Sequence, residues 1–255
     1  MSEFIYGRNA VLEALRAGHA IERILFAEGT RPSGPVAKII GLARSRGMPV
    51  ERAERRDLDA LVHGHHQGVV GVLAPYRYAS VQDMLALAKK REELPLLLIL
   101  DCLQDVQNFG SLLRTAEAVG AHGVILPERR SVSVTAAVRK ASAGAVEHLL
   151  VTRVTNLVRT MKELKERGIW IVGLEAGPEA QDYRQVDLVM PLALVVGSEG
   201  RGLGRLVRET CDFLIHLPTR GRINSLNAAV AGSIALYEAW MQRQNPGELR
   251  DKWTF

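Results

Sequence analysis

Two five-residue runs, Leu96–Leu100 (LLLIL) and Leu192–Val196 (LALVV), contain nothing but aliphatic residues. A strand of that composition has no face to give to water, so it must be covered on both sides. Parallel sheets flanked by helices are where such strands occur. Each run stops at a polar loop, and helical periodicity resumes beyond it. The alternation continues with strands expected at Gly123–Leu126, His148–Val151, Trp170–Leu174 and Phe213–Leu217, and helices at Gly110–Val119, Thr135–Ala143 and Leu157–Gly168. An α/β domain built on a parallel sheet follows. A final amphipathic helix, Asn227–Arg243, aligns Val230, Ile234 and Trp240, a stripe that serves a core or a dimer interface equally well.

The first third of the chain repeats the alternation on a smaller scale. An extended start leads into a helix carrying Val11, Leu12 and Leu15, which Gly18 stops. A strand (Ile21–Phe26), a helix (Val36–Arg46), a short strand (Pro49–Arg52), a helix from Leu58 and a buried strand (Gly68–Leu73) follow. Pro75-Tyr76-Arg77-Tyr78 and a polar helix ending Lys89-Lys90-Arg91-Glu92-Glu93 break the pattern. The expected division is a small α/β domain at 1–75, a linker at 76–94 and the larger domain at 95–255.

Composition narrows the class of function. With 47% hydrophobic and 24% charged residues the chain is globular rather than disordered. A net charge of +5 favours an anionic partner such as nucleic acid. Cys102 and Cys211 lie far apart without a CxxC spacing, which argues against a zinc or disulfide framework and for a reducing compartment. His63, His65 and His66 lack a second ligand group nearby, so no metal is expected. The N-terminus lacks a signal-peptide plan, and the longest apolar run is too short for a bilayer; a soluble, cytoplasmic protein is expected. The tryptophans Trp170, Trp240 and Trp253 read as core or interface residues.

Three polar loops of the larger domain could carry chemistry. The first, after Leu100, holds Asn108, a candidate helix N-cap, and Arg114, which is isolated among Leu112, Leu113, Ala116 and Ala118. The second, Gly197-Ser198-Glu199-Gly200-Arg201-Gly202, is neither a P-loop nor a dinucleotide fingerprint, and Glu199 is its one acidic residue. Its glycines suit a tight turn or a close backbone approach to a ligand. The third, Pro218–Asn227, carries Arg220, Arg222, a possible cap in Ser225, and Asn227 in the first helical turn.

Taken together, Asn108-Phe109-Gly110…Arg114, Gly197-Ser198-Glu199-Gly200-Arg201-Gly202 and Pro218…Gly221…Ser225-Leu226-Asn227 resemble, in order and spacing, the three motifs of the SpoU (TrmH-like) branch of the SPOUT RNA methyltransferases. The resemblance covers about Leu96 to the C-terminus. Tyr6-Gly7-Arg8-Asn9-Ala10-Val11 and His66-Gln67-Gly68-Val69 are similar to the leading domain of one subgroup, the 23S rRNA guanosine-2′-O-methyltransferases. That domain has a ribosomal-protein-like RNA-binding fold. Asp105-Val106-Gln107-Asn108 departs from the family's Asp-Pro-x-Asn, and Pro218-Thr219 and Ala228-Ala229 depart from its third motif; no functional side chain is lost.

The resemblance implies a deep trefoil knot in the larger domain, S-adenosyl-L-methionine as cofactor, and a homodimer whose two subunits complete each site. Carried onto this chain, backbone groups at Gly197, Leu217 and Leu226 would hold the adenosine. Arg114, Glu199, Ser225 and Asn227 would face the methyl group, with Asn108 shaping the first loop. RNA would be met by Arg8, Arg129, Arg130, Arg139 and Lys140. The implied function is 2′-O-ribose methylation of an RNA, a guanosine of 23S rRNA foremost. The rivals are the same chemistry on tRNA or another rRNA site, and a non-enzymatic RNA-binding protein on a degenerate methyltransferase fold.

Overall fold

The computed structural model describes residues 3–16, 18, 20–62, 64–221 and 225–244. The chain divides into two compact units, Met1–Arg77 with Val134–Arg139, and Tyr78–Ser133 with Lys140–Phe255. Among the described residues no helix is long and apolar enough to cross a membrane.

In the first unit the elements run β1 (Glu3–Tyr6), α1 (Arg8–Arg16), β2 (Ile21–Ala27), α2 (Pro35–Ser45), β3 (Val50–Ala53), α3 (Arg55–Leu61) and β4 (Val69–Leu73). The sheet order is β1-β4-β2-β3, with β4 antiparallel to both neighbours and β2 parallel to β3. Strand pleating sends alternate residues of β2 to opposite faces. Ile24 and Phe26 pack with Val11, Leu15, Val36 and Ile39 of α1 and α2, whereas Leu25 and Ala27 pack with Leu58 of α3. The extended start thus proves to be a strand paired with β4. Four residues carry too little periodicity to announce one.

After the first unit's strands the chain continues through α4 (Val81–Lys90), β5 (Leu96–Leu100), α5 (Val106–Ala118), β6 (Gly123–Pro127), α6 (Ala136–Ala141), which belongs to the first unit as far as Arg139, then β7 (Val151–Val154), α7 (Leu157–Glu166), β8 (Trp170–Leu174), β9 (Gln181–Asp182), β10 (Leu192–Val196), α8 (Arg205–Thr210), β11 (Phe213–His216) and α9 (Ala228–Gln244) of the second. Every pairing in the order β7-β6-β5-β10-β8-β11-β9 is parallel. Met84 of α4 and Met161 and Leu164 of α7 pack on Leu97, Ile99, Ile125, Ile171 and Val195. On the opposite face α9 meets α5: a Cβ on Gly232 would lie 2.8 Å from Leu112 and 3.0 Å from Val196. The all-apolar runs β5 and β10 are therefore adjacent, central and covered on both faces.

Two expected boundaries and one expected face differ. α5 begins at Val106, because Asp105 rather than Asn108 is its N-cap. The strand expected at His148–Val151 forms at Val151–Val154, since Gly144, at φ +85°, opens a 3-10 turn over Ala145–Glu147. The buried face of α9 is its small-residue side, Ala229, Gly232, Ala235, Leu236 and Ala239. Of the expected stripe Val230 and Ile234 are exposed and Trp240 is half-buried, and Tyr237 and Met241 on the same helix are exposed as well, so the stripe is not core. Trp170, 48% exposed, tilts against Phe213. Trp253 and His63 lie outside the described residues.

The C-terminal end of α9 is tied to the segments that lead into the sheet. At its C-terminal end Arg243 donates to the carbonyls of Leu94, Pro95 and Met190, which precede the central strands. Burial lowers its pKa to about 10, so it stays charged at neutral pH. Gln242 accepts from Leu188 N–H and donates to the Val186 carbonyl. The N-terminal end of α9 lies at the opposite ends of those strands, where the loops of interest are.

Buried His122 braces the start of β5. Its Nδ1 accepts the Leu96 N–H at 3.0 Å, so the neutral ring carries its proton on Nε2, 3.0 Å from Glu93. Burial holds its pKa below the ordinary 6.5 in spite of Glu93. The unfolded ring takes up its proton as the pH falls through about 6.5 while the folded ring resists, so folding loses stability from there down to the folded pKa. Urea midpoints measured at neutral pH and near pH 5.5 should therefore differ less in His122→Gln than in the wild type; an equal difference would remove His122 from the acid response.

Candidate active site

Three loops leave the C-terminal ends of β5, β10 and β11, on the edge of the sheet where ligands of parallel sheets bind. The loop after β5 begins with Asp101, whose N–H donates to the Val196 carbonyl at 2.9 Å. Its buried Oδ2 accepts the Gly204 N–H at 2.7 Å, tying this loop to the one after β10. Asp105 then caps α5 by accepting the Asn108 N–H at 2.7 Å. Asn108 consequently lies in the first turn, and its side chain is free for another partner.

The loop after β10 is a tight hairpin. Ser198 and Gly202 exchange two backbone hydrogen bonds of 3.1 and 3.0 Å, with Gly200 and Gly202 at φ +76° and +64°. Gly197 is required for closeness rather than for φ: a Cβ there would sit 2.3 Å from the Gly202 carbonyl carbon. The loop after β11 ends at Asn227, whose Oδ1 accepts the N–H groups of Ala229 and Val230 at 2.9 and 3.1 Å. Asn227 therefore caps α9, not Ser225. Arg222 is outside the described residues.

The loops meet in one polar cluster. Asn108 Nδ2 donates to Glu199 Oε1 at 2.8 Å, and Asn227 Nδ2 donates both to Asn108 Oδ1 at 2.9 Å and to the same Glu199 oxygen. Residues 91 and 28 positions apart from Glu199 thus converge on a single carboxylate oxygen. Beside them opens a cavity of about 470 Å³ lined by Gly197–Gly202, Leu217, Ser225, Leu226 and Asn227, with Leu174, Glu175, Val196, His216, Thr219 and Ala231. One wall is bare backbone, one is aliphatic, and carboxylates stand at two places. Neither cysteine is an activated thiolate. Burial raises the Cys102 thiol, with Asp101 adding to it, and pushes Cys211 up to about 12.

The sequence-derived candidates divide clearly. Gly197, Leu217, Leu226, Glu199, Ser225 and Asn227 line the cavity, and Asn108 is bonded to two of them. Arg114 does not line it; it is exposed on α5, and among the described residues no hydrogen bond or ion pair links it to the cluster. Asp101 and Glu175 had no assigned role. Their signal was present, an acidic residue immediately closing an apolar strand in each case.

Of the basic candidates, Arg129, Arg130 and Lys140 are exposed. Arg139 is corrected. It is 2% exposed, donates to the Ala74 carbonyl at 3.3 Å and lies 5.9 Å from the Tyr76 ring centroid, so it has no face to offer a phosphate. Helical spacing puts it on the inward side of α6 with Val138, which a count of charges does not reveal. Arg8 is held at the mouth of β1, its Nε donating to the Gln67 carbonyl at 3.1 Å and its N–H to Gln67 Oε1 at 3.2 Å. It borders an open cavity of about 760 Å³ within the first unit, shared with Arg31, Arg55, His65, Glu28 and Thr30. His66 is structural, its Nδ1 accepting Gly68 N–H and its Nε2 meeting Asp59 at 2.8 Å.

Comparison with known proteins gives this geometry a family. Residues 95–237 match the model of the SpoU rRNA Methylase family, and residues 4–79 match that of RNA 2'-O ribose methyltransferase substrate binding. The chain is 48% identical over 246 residues to Bacillus subtilis (strain 168) YacO, named for the TrmH family of tRNA/rRNA methyltransferases, covering 96% of this chain and 98% of that one. The AdoMet-bound rRNA methyltransferase from Sinorhizobium meliloti superposes with a TM-score of 0.68 at 26% identity, over 96% of this chain and 88% of that one. The SpoU methyltransferase AviRb from Streptomyces viridochromogenes, at 24% identity, shares the fold with a TM-score of 0.71 over 95% and 91% of the two chains. With its family model spanning the second unit's motifs and the first unit matching the accompanying domain, the chain belongs to the SpoU rRNA methylase family and is an RNA methyltransferase.

Proposed function

We propose that the protein transfers a methyl group from S-adenosyl-L-methionine to a ribose 2′-hydroxyl of RNA, with a guanosine of 23S rRNA as the target. The observation that carries this reading is the convergence of Asn108, Glu199 and Asn227 beside a cavity walled by a glycine hairpin. The residues present fit the cofactor. A volume near 470 Å³ lies in the range of small-molecule sites. Leu217, Leu226 and Ala231 offer an apolar slot for a purine, Gly197–Gly202 offers unobstructed backbone, and Glu175, one of whose carboxylate oxygens is buried and unpartnered, borders the cavity.

The cofactor supplies an electrophilic methyl on a sulfonium centre. The chain's residues supply position and charge. Asn108 and Asn227 fix Glu199 on the wall that the positively charged end has to face, and Ser225 adds a hydroxyl on the same side. Alignment of nucleophile and methyl carbon is where such a reaction gains most. Arg114 is assigned a phosphate contact and stabilisation of the alkoxide developing at the 2′-oxygen. A guanidinium does not give up its proton near neutral pH, so it acts as fixed positive charge rather than as base.

Arg114 lies outside its own cavity, which supports a site completed by a second copy of the chain. The exposed stripe of Leu226, Val230, Ile234, Tyr237 and Met241 beside α5 supplies an apolar surface for a two-fold homodimer. The deep trefoil knot belongs to the same proposal; β10 inserting between β5 and β8, both earlier in the chain, is the strand order that supports it.

The first unit is proposed to grip the RNA. Arg8, Arg31, Arg55 and His65 around an open cavity present donors to phosphates, with Arg129, Arg130 and Lys140 as further contacts from the second unit's sequence. The domain match at residues 4–79 supports a ribose 2′-hydroxyl as the acceptor. Mapping 2′-O-methylation across ribosomal and transfer RNA from a strain lacking the gene tests the reading. One missing guanosine mark in 23S rRNA is expected, and a mark lost only from tRNA would overturn the target.

A further inference from the structure

We infer that Glu175 is a ribose-binding residue of the cofactor pocket, its carboxylate accepting hydrogen bonds from the 2′- and 3′-hydroxyls of the adenosine moiety. The inference rests on the cofactor reading above and adds a residue to it. Glu175 follows β8 directly, and its N–H is fixed by the Ile215 carbonyl of β11 at 3.0 Å. The side chain runs beneath the glycine hairpin: a Cβ on Gly202 would lie 3.5 Å from its Cδ and 3.6 Å from its Oε1. Its Oε2 is shut off from solvent and, among the described residues, has no hydrogen-bond partner, although the residue borders the cavity. A carboxylate oxygen left without a donor is costly, and the cavity that the residue borders is where a ligand brings donors within reach of a turn of the carboxylate.

The choice among the cofactor's donors follows from position. Asn108 and Asn227 both donate to Glu199, which commits that carboxylate to the cluster proposed for the sulfonium end, whereas Glu175 shares no hydrogen bond with the cluster among the described residues. β8 is the sheet neighbour of β10, so Glu175 sits one strand over from the bare backbone wall. In doubly wound folds an acidic residue placed beyond a neighbouring strand takes the ribose hydroxyls of a nucleotide whose other parts lie on a glycine turn. A carboxylate has two acceptor oxygens and no donor, which matches a vicinal diol. The purine is left to the apolar side of Leu217 and Leu226.

Calorimetric titration of the full chain tests the assignment without turnover. The ligands are S-adenosylhomocysteine, 5′-methylthioadenosine (which lacks the amino-acid tail) and the 2′,3′-dideoxy form of the latter. Glu175→Gln should weaken the first two by the same factor, about 10- to 100-fold, as loss of hydrogen bonds to a charged acceptor does. The wild type should lose a similar factor on the dideoxy ligand, and the variant should bind that ligand as the wild type does. Weakening confined to S-adenosylhomocysteine would place the carboxylate on the α-ammonium and overturn the assignment, as would unchanged affinity for all three. If Glu175→Gln does not fold, the wild type decides alone, since indifference to the missing hydroxyls overturns it. Failure of the wild type to bind S-adenosylhomocysteine at all would instead bring down the cofactor reading.

Discussion

Gly197→Ala abolishes cofactor binding while Gly200→Ala, three residues on, leaves most of it. The two glycines look alike in the sequence and differ in what surrounds them. A methyl on Gly197 would lie 2.3 Å from the Gly202 carbon, 2.4 Å from its oxygen and 2.7 Å from Leu203 N, all backbone atoms that cannot rotate aside. The hairpin would have to open, breaking the Ser198–Gly202 bonds and moving Glu199 away from its two asparagines. Affinity for S-adenosylhomocysteine should fall roughly 100-fold or more, the upper end of the usual cost of overpacking. At Gly200 nothing lies within 4 Å, and only the φ of +76° resists, a strain of about 1–2 kcal/mol. Calorimetry on both variants checks the contrast; equal losses would mean that conformation rather than contact governs the turn.

Replacing Arg114 by alanine lowers kcat by about 10²–10³-fold, the scale of removing one preorganised charge from a developing oxyanion. Cofactor affinity should stay unchanged, because Arg114 does not border the cavity. Arg114→Lys should recover little, since the ammonium lacks the planar fork for a phosphate; near-full turnover in the lysine variant would end the guanidinium role. The same residue tests the assembly. Neither Arg114→Ala nor Asn227→Ala restores activity alone, but when the two are mixed and subunits reassort, activity should return to about a quarter of wild type, since half of the dimers are hybrids and one of the two sites in each hybrid is intact. No recovery would mean that Arg114 serves its own chain's pocket.

The parallel sheet was legible because β5 and β10 are apolar throughout, a composition that admits few other settings. The three loops were legible because each follows a strand and keeps its functional side chains at fixed offsets. What the sequence could not show was which side chains meet. Asn108 and Glu199 are 91 positions apart, and nothing local says that an asparagine read as a cap would give that duty to Asp105 and turn to a carboxylate. The same holds for Asn227 and Ser225: both can cap, and only the helix start decides. Arg139 was misplaced because charge suggests surface, whereas a helix six residues long has an inner side that one arginine occupies. In α9 the sequence left two uses for the large apolar residues, and of these the core falls: Val230 and Ile234 are exposed, and alanines and a glycine make the tight contact with α5.

The most direct test of the central claim uses the purified protein, S-adenosyl-L-methionine carrying a tritiated methyl group, and unmodified 23S rRNA or total tRNA as acceptors. Alkali cleaves RNA through the 2′-hydroxyl, so a ribose-methylated nucleotide survives as an uncleaved dinucleotide. The account predicts label from 23S rRNA in one alkali-resistant dinucleotide with guanosine at its 5′ side, lost in Asn227→Ala. Label appearing in mononucleotides would place the methyl group on a base and contradict it.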